Sequence, residues 1–339
     1  MNTIRIGRFA PSPTGPLHIG SLVTALASWL DARANGHLWY VRIEDVDHAR
    51  EEPGASELIL EQLQMHGLHW DHWTGEGADA RGVLFQQRRE AAYQKALIAL
   101  IAAGRAYPCT CSRKRLQYAV ENGKTKHNAD GEILYPGFCR PASILTCSLD
   151  EAAQLFNLQS ETGTSWRFLN PNGDDFVLRR ADGYWAYHLA TVLDDSFQCI
   201  THILRGDDLL QAAPRHTALR LALGCSEPVV FHVPVVRNEQ GEKLSKQTRA
   251  PSLRTDHEDI IGLQLDLAWS HLEISMPMGW LERVRGVWQK LRLQPLGLPP
   301  RMAGTARGAR RMPEEAVRDV TGAGDVAPGA MGSVLGVAF

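Results

Sequence analysis

The chain has 339 residues, 44% hydrophobic and 22% charged, with a formal net charge of −2. This is globular usage with room for a sizeable core in one to three domains, and it excludes a globally basic nucleic-acid binder, so any RNA contact must use a local patch. No run of about 18 apolar residues occurs, so no membrane span is expected, and Arg5 and Arg8 stand where a signal peptide would carry its apolar region.

Thr3 to Gly7 is short and rich in β-branched residues and reads as a strand. Arg8-Phe-Ala-Pro-Ser-Pro-Thr-Gly-Pro-Leu-His-Ile-Gly-Ser21 follows, after which Leu22, Val23, Leu26, Trp29 and Leu30 recur at helical spacing. A strand, a Pro/Gly turn and a helix present backbone N–H groups and a helix N-terminus to an anion. Gly15 and Gly20 let backbone approach a ligand closely, and His18 sits just before the helix, where it can donate to a phosphate. Trp39 to Ile43 reads as a second buried strand that delivers Glu44 and Asp47 to its C-terminal end, the edge where open parallel sheets bind ligands. Helical periodicity follows at Glu57 to His66 and at Gln86 to Ala103.

Tyr107-Pro-Cys-Thr-Cys-Ser112 opens an insertion that runs through a polar segment to Tyr135-Pro-Gly-Phe-Cys139. Cys109 and Cys111 can chelate one ion and Cys139 supplies a third thiolate. Zinc wants four donors, and by spacing the fourth is His127, Tyr135 or Cys147. Six cysteines, three of them clustered, point to the cytoplasm and to metal rather than disulfides. Arg113, Lys114, Arg115, Lys124 and Lys126 form either a local RNA-contacting patch or simply a solvated face.

Asp174 to Arg180 alternates like a strand, Ala181-Asp-Gly183 reads as a hairpin turn, and the apolar run Tyr184 to Leu193 returns the chain to the core. Ile200 to Asp208 is a buried strand ending in Arg-Gly-Asp-Asp. Pro214 to Leu223 is a helix, and Phe231 to Val236 a strand feeding Glu242-Lys-Leu-Ser-Lys-Gln247. Lys243 and Lys246, compact charges on flexible stems, suit a mobile clamp on phosphates. Leu263 to Leu293 has helical stretches with Trp269, Trp280 and Trp288, and 295–339 turns to Pro, Gly, Ala and Arg, which predicts weak structure.

His18-Ile-Gly-Ser21 resembles the HIGH signature of class I aminoacyl-tRNA synthetases, and Lys243-Leu-Ser-Lys-Gln247 their KMSKS signature. Arg8 to Gly20 is similar to the opening of glutamyl-tRNA synthetases, and the short relatives of that family, the glutamyl-Q tRNA(Asp) synthetases, match best. The resemblance implies an α/β fold: a Rossmann-type parallel-sheet catalytic core with a zinc-containing insertion and a small C-terminal helical region. It implies activation of L-glutamate by ATP with Mg²⁺, without tRNA, and transfer of glutamate to the queuosine base in the anticodon of tRNA(Asp), by a cytoplasmic monomer. His18, Gly20, Lys243 and Lys246 would be catalytic, with His18, Gly20 and Lys246 on ATP. Arg8, Phe9, Ala10, Pro11, Ser12, Glu44, Tyr187 and Arg205 would hold glutamate, Arg8 on its side-chain carboxylate and Glu44 on its α-ammonium. The family's Cys-x-Cys, then Tyr-x-x-x-Cys order makes Tyr135 the fourth ligand of a structural zinc beside Cys109, Cys111 and Cys139.

The expected organisation is a first catalytic half at 1–106, the insertion at 107–184, and a second catalytic half at 185–247. A helical tRNA-contacting region at 248–294 and the tail at 295–339 complete it. Two other functions compete. A glutamyl-tRNA synthetase charging tRNA(Glu) would carry a helical anticodon-binding domain, for which the 92 residues after Gln247 leave no room. A silent RNA- or zinc-binding paralogue would have no need of His18, Gly20, Lys243, Lys246, Arg8 and Glu44 together.

Overall fold

The structure, a computed structural model, describes residues 4–128, 131–237, 241, 243–244 and 250–296. Lys246 and the expected tail from 297 on lie outside the described residues. The elements in chain order are β1 (Ile6–Phe9), α1 (Ile19–Ala34), β2 (Leu38–Ile43), α2 (Ala55–Met65), β3 (Leu84–Phe85), α3 (Glu90–Ala102), β4 (Ala106–Cys109), α4 (Arg113–Glu121) and α5 (Leu149–Glu161). They continue with β5 (Ser165–Phe168), β6 (Val177–Arg179), α6 (Tyr187–Phe197), β7 (His202–Gly206), α7 (Ala213–Leu223), β8 (Val229–Val233), α8 (Glu258–Ser275) and α9 (Met278–Arg292). They form two compact units. Among the described residues the first takes the segment up to Arg88, Gln198–Leu210 and the chain from Pro228 on, and the second takes Arg89–Phe197 and Gln211–Glu227.

The first unit is built on a five-stranded parallel sheet in the order β3-β2-β1-β7-β8. All of β1 and all of β2 after Leu38 are buried, as parallel strands covered on both faces require. Thr3 lies outside the described residues; the first strand leaves out Ile4 and Arg5 and includes Arg8 and Phe9, because β1 pairs with β2 from Ile6↔Leu38 to Phe9↔Val41. Helix α1 is buried at nearly every position from Leu22 to Ala32. It needs apolar residues around most of its girth because α8 and α9 cover it on top of the sheet contacts. Buried Asp31 on α1 accepts from Trp280 Nε1 at 3.0 Å and Arg283 at 3.2 Å, which ties α9 down. The stretch expected to be helical is two helices, broken at Met276-Pro277, and its three tryptophans are all buried, Trp269 and Trp288 stacking at 4.9 Å. Among the described residues no helix is long and apolar enough to cross a membrane.

The second unit centres on an antiparallel sheet in the order β4-β5-β6. The strand expected over Asp174 to Arg180 narrows to Val177–Arg179 because the two aspartates before it serve other partners. Asp174 pairs with Arg215, and Asp175 accepts from the Asn170 amide at 2.8 Å and from Tyr107 Oη at 2.6 Å. The apolar run after the hairpin turn is helical, as α6. Its fully buried Asp194 accepts from Arg89 Nε and Tyr93 Oη, both at 2.6 Å. Asp194→Ala would leave the Arg89 charge buried without this carboxylate, so urea unfolding should report a loss of about 3–5 kcal/mol.

Candidate active site and metal centre

The turn after β1 lies against the segment that leaves β2. Pro11 O accepts from Glu44 N and Pro13 O from Glu52 N, both at 2.9 Å. Gly15 has φ +120°, a backbone conformation that demands glycine, and its Cα side faces the Glu52 carboxylate, which a Cβ would push aside. Arg8 and Phe9 are buried at the C-terminal end of β1, and Ser12 is exposed at the turn.

His18 is the N-cap of α1. Its Nδ1 accepts from the Gly20 and Ser21 amides at 3.1 and 3.3 Å. An accepting Nδ1 carries no proton, so the neutral ring holds its proton at Nε2, a donor suited to a phosphate oxygen. Two amides that the sequence reading offered to an anion are therefore already used by the histidine. Gly20 is explained by the same contact, since a Cβ there would lie 3.0 Å from the His18 ring and 3.5 Å from the Leu244 carbonyl. The two signature segments thus approach one another at Gly20.

Buried Gln62 of α2 locks this approach, and the sequence reading missed it. Its Oε1 accepts from Leu17 N and its Nε2 donates to Leu253 O, both at 2.8 Å, while Leu253 N donates to Leu17 O at 2.8 Å. A polar residue between Leu60 and Leu63 on the buried face of an amphipathic helix was the available signal. Gln62→Leu strands one buried donor and one buried acceptor, and thermal or urea unfolding should show a loss of about 2–4 kcal/mol.

Lys243 Nζ pairs with Asp208 Oδ2 at 2.5 Å, with side chains 43% and 32% exposed. Asp208 belongs to the Arg-Gly-Asp-Asp run at the end of β7, and the neighbouring Asp207 accepts from Val235 N at 3.1 Å. At the same sheet edge Glu44 is buried and accepts from Arg42 at 3.1 Å, and Arg42 also donates to Gln198 Oε1 at 3.1 Å. Burial pushes the neighbouring Asp45 carboxyl up to about 6 against the hydrogen bond from the Gln87 amide. Arg205, also buried, donates to His232 Nε2 at 3.3 Å. Burial first, and then this guanidinium, hold His232 below the usual imidazole range. Tyr187 opens α6 in the second unit, its ring against His188 and His216.

In the second unit the Sγ atoms of Cys109, Cys111 and Cys139 lie within 4.8 Å of one another. Tyr135 Oη is 3.4 Å from Cys109 Sγ and 3.8 Å from Cys111 Sγ, and it accepts from Cys139 N at 2.7 Å. Cys147 is exposed and, like His127, stands outside this group. Buried Arg167 places its guanidinium 3.8 Å over the Tyr135 ring and donates to Cys109 Sγ at 3.3 Å, with no carboxylate partner among the described residues. A cation held there is what three thiolates and a phenolate around a divalent ion would call for, so the residues fit zinc. Burial raises the Cys111 thiol to about 11. It opposes ionisation of Cys139 too, but the Thr110 amide, Tyr135 and the other two thiols hold that thiol at about 7.

A parallel sheet with a capped histidine at the first turn and a lysine segment closing on it is the arrangement of a class I synthetase catalytic domain. The family model for class I tRNA synthetases (E and Q), catalytic domain, matches residues 4–135 and 145–262. The glutamyl-Q tRNA(Asp) synthetase of Thiobacillus denitrificans is 47% identical over 258 residues, 73% of this chain and 79% of that protein. That of Cupriavidus metallidurans is 43% identical over 330 residues, 89% and 97% of the two chains. Among solved structures, the glutamate-tRNA synthetase of Elizabethkingia anophelis superposes with a TM-score of 0.57 at 29% identity, covering 72% of this chain but 53% of that one. The chain therefore spans about half the length of that full synthetase. It belongs to the glutamyl-Q tRNA(Asp) synthetases, a family of class I aminoacyl-tRNA synthetase-like ligases.

Proposed function

We propose that the chain activates L-glutamate with ATP to glutamyl-adenylate, without tRNA, and transfers the glutamate to the queuosine base in the anticodon of tRNA(Asp). The observation that carries this reading is the helix-capping His18, its proton at Nε2, with the Leu244 segment on the other side of Gly20. The glutamate α-carboxylate attacks the α-phosphorus of ATP, the bond to pyrophosphate breaks, and negative charge grows on the oxygens around phosphorus. Catalysis is then positioning and electrostatic stabilisation. His18 Nε2–H donates to a phosphate oxygen, Gly20 leaves room for the nucleotide, and Lys243 and Lys246 supply cations. Mg²⁺ accompanies ATP as a counter-ion of its phosphates. The half-exposed Lys243–Asp208 pair is worth at most about 1 kcal/mol, so a triphosphate draws the lysine away from it.

Arg8 pairs bidentately with the glutamate side chain, a geometry that glutamine cannot match, and Glu44 takes the α-ammonium. Phe9, Ala10, Pro11 and Ser12 line the amino acid, and Arg205 and Tyr187 keep the roles the family resemblance gives them. Zinc on Cys109, Cys111, Tyr135 and Cys139 is structural and fixes the insertion, which contacts the acceptor tRNA. The enzyme works as a cytoplasmic monomer.

ATP–pyrophosphate exchange, followed by transfer of labelled glutamate, tests this. Exchange with glutamate but not glutamine in the absence of tRNA, and label on tRNA(Asp) only when it carries queuosine, is the expected result. Exchange that requires tRNA(Glu), with label at its 3′ end, would replace the reading with that of a glutamyl-tRNA synthetase.

A further inference from the structure

Helix α4 grows directly out of the metal loop. Ser112, one residue after Cys111, caps it by accepting from Arg115 N at 3.2 Å. Leu116 packs onto the cluster of Tyr107, Cys109, Tyr135 and Leu169, and Ala119 is buried. These two contacts fix which face looks outward. On it stand Arg115 and Tyr118, three residues apart and therefore neighbours on the helix surface. Tyr118 is 63% exposed. The Arg115 guanidinium lies 4.8 Å over the ring of Phe138, which is itself 38% exposed and precedes the metal-loop residue Cys139.

Neither ring is explained by packing. Two aromatic side chains left at the surface, one of them beneath a guanidinium plane, offer flat faces on which another ring can stack. The charge around them is one-sided. Between Arg113 and Asn128 five cations stand against the single carboxylate of Glu121, in a chain whose net charge is −2. Arg113, Lys114, Lys124 and Lys126 are all exposed, and none forms an ion pair among the described residues. Aromatic faces framed by unpaired cations suit a polyanion that carries unstacked rings, which is single-stranded or loop RNA. A regular duplex keeps its bases stacked and would use the cations alone.

We propose that Tyr118, Arg115 and Phe138 form a base-stacking platform for an unpaired nucleotide of the tRNA, flanked by Arg113, Lys114, Lys124 and Lys126 on its phosphates. The proposal rests on the reading above in taking tRNA as the substrate, and it adds which surface grips it and by what chemistry. The metal loop sets the spacing of the platform, since Phe138 is carried by that loop and Arg115 by the helix anchored on it.

The test is binding of tRNA(Asp), of its isolated anticodon stem-loop and of a blunt RNA duplex by fluorescence anisotropy at several salt concentrations, with the full-length protein. Tyr118→Ala should weaken binding of tRNA and stem-loop roughly tenfold with the salt slope unchanged, leave the duplex alone, and be rescued by Tyr118→Phe. Lys124→Ala should lower the salt slope by about one for all three RNAs. ATP–pyrophosphate exchange with glutamate should stay at the wild-type level in both variants. Wild-type affinity in Tyr118→Ala overturns the platform. So does an equal loss on stem-loop and duplex together with a smaller salt slope, which would make the surface purely electrostatic. Should Phe138→Ala disturb the metal loop, Tyr118→Ala decides alone, because that residue is exposed and lies off the loop. Failure of the wild-type enzyme to glutamylate tRNA(Asp) would instead overturn the functional reading, and the stem-loop measurement would still report on the platform.

Discussion

His18→Asn is expected to fold and melt like the wild type and to lose about a hundred- to a thousandfold in ATP–pyrophosphate exchange. Asparagine is among the best N-cap residues, so its side-chain oxygen can take over from Nδ1 the amides of Gly20 and Ser21. It has no counterpart to the Nε2 donor, and removing one well-placed donor from developing oxyanion charge costs about that much in rate. His18→Ala removes both functions, so it should show the same catalytic loss and an added destabilisation of about 1 kcal/mol. The pair separates the two roles that one ring fills. Full exchange activity in the asparagine variant would mean that His18 is a cap and nothing more.

Cys109→Ser should abolish stoichiometric zinc and loosen the second unit while sparing the first. Wild-type protein should carry one zinc per chain by elemental analysis, and the variant none. The three thiols and Tyr135 come from a strand end and two loops that converge at this point, so metal binding energy is folding energy for that region. Structural zinc contributes on the order of 10 kcal/mol in small domains, and here the loss should reach at least a few kcal/mol. Trypsin should cut faster in the stretch from Arg113 to Lys126. The Gln62 network and the His18 cap lie in the first unit, so tRNA-independent exchange should persist. Tyr135→Phe should weaken zinc without eliminating it, read by competition with a chromophoric chelator. A wild-type protein purified without chelators and found free of zinc would remove the assignment.

Four strands of the parallel sheet, β1, β2, β7 and β8, were legible as short apolar runs, whereas the two-residue β3 was too short to stand out. The first turn was legible as a Pro/Gly turn between a strand and a helix, but nothing local showed that His18 itself would take the amides of Gly20 and Ser21. What escaped reading were side chains whose partners come from far along the chain. Gln62 shares the buried face of α2 with Ile59 and Leu63, but what it bonds stays hidden until Leu17 and Leu253 are placed on either side of it. Arg167 looks like an ordinary strand residue until its guanidinium is found over Tyr135. Strand ends shifted where side chains compete with the ladder, as at Asp174 and Asp175. The fourth metal donor was open on spacing alone, because His127, Tyr135 and Cys147 are all within chain reach; the family resemblance pointed to Tyr135, and Tyr135 is the one that lies beside the thiols.

The Arg89–Asp194 clasp also bears on how fast this chain can assemble. Strand β1 joins β7 across 195 residues of chain, Ile6 N donating to Thr201 Oγ1 at 2.8 Å. Bringing such distant segments together carries a loop-closure penalty that slows folding. Arg89 and Asp194 stand near the two ends of the stretch between β3 and β7, and they meet at 2.6 Å within the second unit. Once that unit has folded, the tether separating β3 from β7 shortens from more than a hundred residues to the short segments 86–88 and 195–201. The second unit then acts as a scaffold for completing the central sheet, and weakening the clasp should appear first as a slower refolding phase.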